Sequence, residues 1–156
     1  MQELRFEESA NVNEKALSLN DKNYDVWSNL LACYTWLKRS EKAADARRHL
    51  VVLLQQAIKL DSQNAYAHVT LATVYAAEHE REKSISNVQT ALALTPDDPD
   101  TLLNTADTYE LLGDHRQAVM YLQRGLKDGL KEGRLRIDPD IQNVLKDPTF
   151  RYIAKR

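Results

Sequence analysis

The chain has 156 residues and 43% apolar content, enough for one domain-sized fold with a buried core. A net charge of −2 gives neither the basic balance of a nucleic-acid binder nor the acidic tract of a solvating tail. The single cysteine, Cys33, excludes an internal disulfide and fits a reducing, cytoplasmic setting.

Four Gly and four Pro are few, which suits a helical protein. Residues 1–10 (MQELRFEESA) lack the apolar segment of a secretory signal. The longest apolar run, residues 50–54 (LVVLL), is far too short to span a bilayer.

The first expected helix is Gln2–Leu19, in which Leu4, Ala10, Asn13, Ala16, Leu17 and Leu19 only partly fill an apolar stripe. Its end, ALSLND, matches AIKLDS at 57–62 and ALALTP at 91–96. It therefore reads as the second helix of a hairpin whose first helix is missing. The expectation is a fragment of a longer protein, with an unpaired helical face at this end.

Residues 24–37 come next. Trp27, Leu30, Leu31 and Tyr34 recur at i, i+3, i+4 and i+7, one face of a helix. Ser40 is placed to cap a long following helix over residues 41–60. Trp27 to Ala57 is 30 residues, whereas His68 to Ala91 is 23. The seven extra residues amount to about two turns. They either lengthen both helices by one turn or one helix by two; both options keep the apolar face in register.

Ala65–Ala77 and residues 82–94 form the next pair, with Leu71, Ala72 and Tyr75 facing Ser84, Val88 and Ala91. Pro and Asp in the turn TPDDPD suit the start of a helix. Residues 101–112 and His115–Lys127 form the last pair, with Gly113 as the left-handed stop between them. The tail, residues 129–156, breaks the pattern. It reads as two short helices around Ile141, Val144 and Leu145 and around Phe150 and Ile153, covering the open end of the array.

Ala91-Leu92 and Gly125-Leu126 are 34 residues apart, as are Tyr75 and Tyr109. A fixed period of this size marks a repeat array. Trp27-x2-Leu30-Leu31-x2-Tyr34, Leu71-Ala72-x2-Tyr75 and Leu112-Gly113-Asp114 with Ala118 and Pro96 resemble the tetratricopeptide repeat (TPR) family. The likeness covers residues 24–128 and the half-repeat before them. Departures are His68 and Leu102 in place of a large aromatic, Thr105 for Leu, and Ser84 and Gly125 for Ala. The tail resembles segments that follow such arrays in bacterial multidomain proteins.

The resemblance implies an all-α fold, a right-handed superhelix of helical hairpins (an α-solenoid) with a short helical C-terminal cap. Its expected parts are a truncated repeat (1–23), a repeat with longer helices (24–64), two further repeats (65–98 and 99–128) and a capping segment (129–156). It also implies a non-catalytic scaffold whose first helices line a concave groove for a protein or peptide partner, or for other domains of its own chain. By phase the groove positions are Ser28, Asn29, Ala32, Thr35 and Trp36, then Tyr66, Val69, Thr70 and Thr73, then Asp100, Leu103, Asn104, Asp107 and Glu110. No Lys or Arg falls among them, which argues against a carboxylate clamp for chaperone tails. Asp107 and Glu110 make the far end acidic, so the expected ligand is an apolar or basic segment. Pairing of two copies through the exposed half-hairpin at Gln2–Leu19 is the competing expectation.

Other chemistry finds little support. His49, His68, His79 and His115 are scattered and do not reach metal-ligand spacing with one another or with Cys33. Asp97-Asp98-x-Asp100 lacks the Gly and Glu of a calcium loop. There is no phosphate loop or nucleophile elbow, and no cofactor is expected. From Arg124 onward basic residues outnumber acidic ones, but few aromatics interleave, so a solvated face is expected rather than a nucleic-acid or membrane surface.

Overall fold

A computed structural model describes residues 2–135, 140–148 and 150. Among them, seven helices run in order: α1 (Gln2–Leu19), α2 (Tyr24–Trp36), α3 (Ser40–Leu60), α4 (Ala65–Ala77), α5 (Arg81–Leu94), α6 (Pro99–Leu111) and α7 (His115–Lys127). A four-residue α8 (Glu132–Leu135) and two 3-10 turns, Asp140–Gln142 and Val144–Lys146, follow. No strand occurs among the described residues, as the all-α reading requires. None of these helices is long and apolar enough to cross a membrane.

Each first helix, α2, α4 and α6, is 13 residues long, and both of its ends are set locally. At the start, Asn23, Asn64 and Asp98 accept hydrogen bonds from backbone N–H groups of the first turn, satisfying donors the helix cannot. At the end, a residue with positive φ (Lys38 at 55°, His79 at 61°, Gly113 at 77°) closes a left-handed turn. The N–H groups of Arg39, Glu80 and Asp114 then donate to the carbonyls of Tyr34, Tyr75 and Tyr109 at 2.8–2.9 Å. This is a Schellman closure, repeated three times. A Cβ at residue 113 would meet nothing within 4 Å, so Gly113→Ala should cost about 1–2 kcal/mol through backbone conformation alone. Urea denaturation measures it.

The extra seven residues lie wholly in the second helix of the first hairpin. α3 has 21 residues against 14 in α5, while α2 matches α4 and α6. Ser40 opens α3 rather than preceding it. Likewise, α6 begins at Pro99, two residues before the expected start, with Asp98 as its cap.

The chain divides into two compact units, residues 1–57 and 58–156. In the first, α1, α2 and the start of α3 bury Ala10, Leu30, Cys33, Tyr34, Ala43 and Ala46. α1 presents Ser9, Asn13 and Ala16 where, by alignment of the helix ends, α5 buries Ser84, Val88 and Ala91. Asn13 Nδ2–H donates to the Ser9 carbonyl at 2.8 Å, so this face of α1 is polar where α5 carries Val88. Arg39 pairs with Glu7, and the Phe6 and Trp36 rings stack at 4.9 Å.

In the second unit, α4 packs on α5, α6 packs on α7, and α4 packs directly on α6. Ser84, Val88 and Ala91 are buried as expected; the Ser84 hydroxyl donates to the Ala72 carbonyl at 2.9 Å. Leu122 anchors a cluster with Leu103, Ala106 and Ala118 that also takes in Leu130, Leu135, Ile141, Val144 and Phe150 of the tail. The two tail patches expected from sequence thus form one cluster; Ile153 and the Asp138-Pro139 turn lie outside the described residues. Tyr34 is buried, but Tyr75 and Tyr109 are only half-buried. Tyr109 stacks on Tyr121, and its phenol pKa is raised mainly by burial and then by that neighbour.

Candidate functional site

The groove positions divide between the two units. On α2, in the first unit, Asn29 and Thr35 are exposed and Ser28 is half-buried. The Thr35 hydroxyl donates back to the Leu31 carbonyl at 2.8 Å. Ala32 and Trp36 are half-buried.

On α4 and α6, in the second unit, only part of the expected set reaches solvent. Tyr66 is 39% exposed, and Asn104 and Glu110 are half-buried. Val69, Thr70, Leu103 and Asp107 are buried, at 0%, 4%, 3% and 5% exposure. Thr73 is spent in the α4–α6 contact, with its Oγ1 at 3.0 Å from the Thr108 hydroxyl and 3.4 Å from the Asn104 carbonyl. The helices that should line a groove also pack on each other, and neighbouring positions differ by about 100° in direction. A phase argument alone cannot separate the groove face from that contact.

The acidic end is also altered. Asp107 is interior, and Asp100 forms an ion pair with Arg134 of α8. Glu110 Oε2 lies 2.8 Å from His115 Nδ1, and the other ring nitrogen, Nε2, lies 2.8 Å from Asp147 Oδ2. His115 thus ties the end of α6 to the tail. No Lys or Arg was expected on this face, and the tail supplies Arg134.

The positions that depart from the repeat pattern have visible uses. Trp27 Nε1–H donates to the carbonyl of Asp21, six residues earlier, at 2.7 Å. His68, at the matching place, has Nε2 at 3.2 Å from the carbonyl of Ser62, also six residues earlier. A ring N–H can therefore do at 68 what the indole does at 27. Gly125 lets α7 approach α6: a Cβ there would lie 3.4 Å from Leu102 Cβ and from Leu130 Cδ2.

Residues 63–128, which hold α4 to α7, match the family model described as Tetratricopeptide repeat. Those residues belong to the tetratricopeptide repeat family. The TPR segment sits within wider similarities. The chain is 26% identical over 157 aligned positions to the Hsp70-Hsp90 organizing protein of Triticum aestivum, covering 96% of this chain and 24% of that protein. It is 25% identical over 111 residues to BBSome complex member BBS4 of Bos taurus, covering 71% of this chain and 20% of that one. The chain thus spans a quarter or less of the length of these curated relatives. A thermophilic TPR protein of Thermus thermophilus, TTC0263, superposes with a TM-score of 0.56 at 19% identity, over 94% of this chain and 72% of that one. That likeness concerns the α-solenoid fold.

The His115 bridge predicts a pH-dependent contact between α6, α7 and the tail. Its two carboxylate partners, Asp147 foremost and then Glu110, raise the imidazole pKa above its usual 6.5. The protonated ring bonds both carboxylates, so the stabilisation is fully present below the unfolded value and fades as pH rises through the higher folded value. The ring is 43% exposed, so the effect is modest. Raising pH from about 6 to about 9 should lower the protection factors of residues 141–147, that is, raise their exchange rates after correction for base-catalysed intrinsic exchange, and Asp147→Asn should flatten that dependence.

Among the described residues, no group of three His, Cys, Asp or Glu side chains is placed to hold a metal ion. Cys33 is buried within the first unit's core.

Proposed function

We propose that this chain is a non-catalytic scaffold that binds a polypeptide segment on the solvent face of α4 and α6, around Tyr66 and Asn104. The observation that supports the reading is the direct packing of α4 on α6, the first helices of two successive hairpins. Tyr66 supplies an aromatic anchor, and Asn104 an amide whose Nδ2–H donates to the Asp100 carbonyl at 2.8 Å. The relatives' names refer to a protein that organises Hsp70 and Hsp90 and to a complex member, in keeping with a scaffold role here.

The paired state of Asp100 and Glu110 and the burial of Asp107 favour an apolar segment over a basic one on this face. Peptide-array capture with the purified chain tests the proposal. Tyr66→Ala should weaken a captured peptide about tenfold or more while leaving the melting temperature unchanged. Capture that ignores Tyr66→Ala and Asn104→Ala would place the ligand elsewhere.

A second reading, pairing of two copies through α1, is favoured by its outward apolar side chains: Leu4, Val12 and Leu19 are 67%, 66% and 90% exposed. Light scattering decides it. A dimer that Val12→Glu dissociates supports pairing; a monomer at all concentrations ends it.

A further inference from the structure

One stripe of α6 already has an occupant. Asp100, Leu103, Asp107 and Glu110 follow one another at spacings of three, four and three, which puts them on one side of the helix. The chain's own tail lies against that side. Arg134 of α8 forms an ion pair with Asp100. Leu103, 3% exposed, shares a core cluster with Leu135, Ile141, Val144 and Phe150. Glu110 Oε2 lies 2.8 Å from His115 Nδ1, and Asp147 Oδ2 lies 2.8 Å from the other ring nitrogen. The 3-10 turn Asp140–Gln142 packs directly on α6, and the turn Val144–Lys146 on α7.

The tail is held by its side chains rather than by structure of its own. Its described residues form one four-residue helix and two three-residue 3-10 turns, too short to persist alone. Its charged ties are weak, because Arg134, Asp100 and His115 all remain well exposed to solvent. Docking therefore rests chiefly on the buried side chains Ile141, Val144 and Phe150. The hairpin beneath has other supports. α6 packs on both α4 and α7, and its two ends are closed locally at Asp98 and Gly113. A segment tied on in this way opens at a lower cost than the helices it covers.

We propose that the tail is an internal occupant of a polypeptide-binding face on α6, and that a partner segment of the same chemistry docks there in its place. That chemistry is an arginine followed by spaced aliphatic and aromatic side chains. It is read from what the face now holds: a guanidinium on Asp100, and branched aliphatic side chains with a phenyl ring around Leu103. With the tail away, the three carboxylates of the stripe would repel an acidic segment. The site is separate from the Tyr66–Asn104 face. A peptide held there needs no movement of the tail, so either surface can stand if the other fails.

The test compares the wild-type chain with an Ile141→Asp, Val144→Asp variant, whose tail has lost its apolar hold. Both are applied to an array of synthetic peptides unrelated in sequence to this chain. One set carries an arginine ahead of spaced aliphatic residues; in the other set that arginine is glutamate. The chain's own segment 130–150, as a peptide, is the control. The variant should keep its helical circular dichroism and bind the arginine set about tenfold tighter than the wild type, because apparent affinity follows the fraction of open face. The glutamate set should not bind. Adding Asp100→Arg to the variant should abolish capture, and adding Tyr66→Ala should leave it unchanged. Should the double variant unfold, Arg134→Ala with Asp147→Asn removes only the exposed ties and should tighten capture several-fold. The proposal is overturned if a folded open variant binds only the control peptide, which would make the tail a private cap. It is also overturned if arginine and glutamate peptides bind alike, if capture survives Asp100→Arg, or if neither variant gains affinity. Capture lost on Tyr66→Ala would assign those peptides to the other face and refute this one.

Discussion

Replacing Leu122 with alanine is expected to lower stability by about 3 kcal/mol, within the range for a fully buried leucine whose neighbours cannot collapse into the gap. Leu122 has 0% exposure, and its cluster joins α6 and α7 to the tail residues Leu130, Leu135, Ile141, Val144 and Phe150. Its loss should therefore be felt in the tail as well as in the hairpin. Guanidinium denaturation gives the magnitude, and amide exchange at residues 140–148 gives the reach. A loss under about 1 kcal/mol would mean that the helices close over the cavity, contrary to the packing described. The same change at Tyr75 is expected to cost less, because that ring is half-buried and Lys83 lies over it at 5.4 Å in contact with solvent.

The second large effect is at Gly125, where two substitutions should diverge. Gly125→Ala should be neutral or stabilising by up to about 1 kcal/mol. Its Cβ would make contacts at 3.4 Å, at the edge of ordinary packing, and alanine favours helix over glycine by about that amount. Gly125→Leu gains similar helix propensity but must place three more carbons against Leu102 and Leu130. Overpacking of that kind costs about 1–3 kcal/mol, occasionally more, so a net loss of roughly 2 kcal/mol is expected. Equal stability of the two variants would show that α7 can shift away from α6. The contrast tests the closeness of the hairpin more directly than either change alone.

The helices were legible because their signals are local or periodic. Trp27, Leu30 and Tyr34 announce α2 by spacing, and Gly113 announces the end of α6 by its chemistry. His79 and Lys38 do the same work without being glycine, and only the repeat phase could reveal them. The caps Asn23, Asn64 and Asp98 follow the same spacing, 41 and then 34 residues, and were available to a reader who compared helix starts as well as helix cores.

The candidate site was less legible for two physical reasons. Val69, Thr70, Leu103 and Asp107 sit on the boundary between the face that α4 and α6 show to solvent and the sides on which they pack. A side chain's class does not say which: Thr70 and Asp107 are buried although Thr70 Oγ1 and Asp107 Oδ1 find no hydrogen-bond partner among the described residues. The second reason is the tail. Arg134 and Asp147 reach Asp100 and His115 from outside the period, and no spacing rule relates them. The acidity read from Asp100, Asp107 and Glu110 was a property of composition that folding largely cancels.

The identical length of α2, α4 and α6 carries a consequence for how such a chain can vary. Each has an Asx cap at one end and a left-handed stop at the other, flanking 13 helical residues in all three hairpins. In this chain the spare length enters through a second helix, and α3 shows that two whole turns fit there. A seven-residue graft into α5 should therefore be tolerated better than the same graft into α4, which packs on both α5 and α6, and thermal denaturation of the two variants measures the difference.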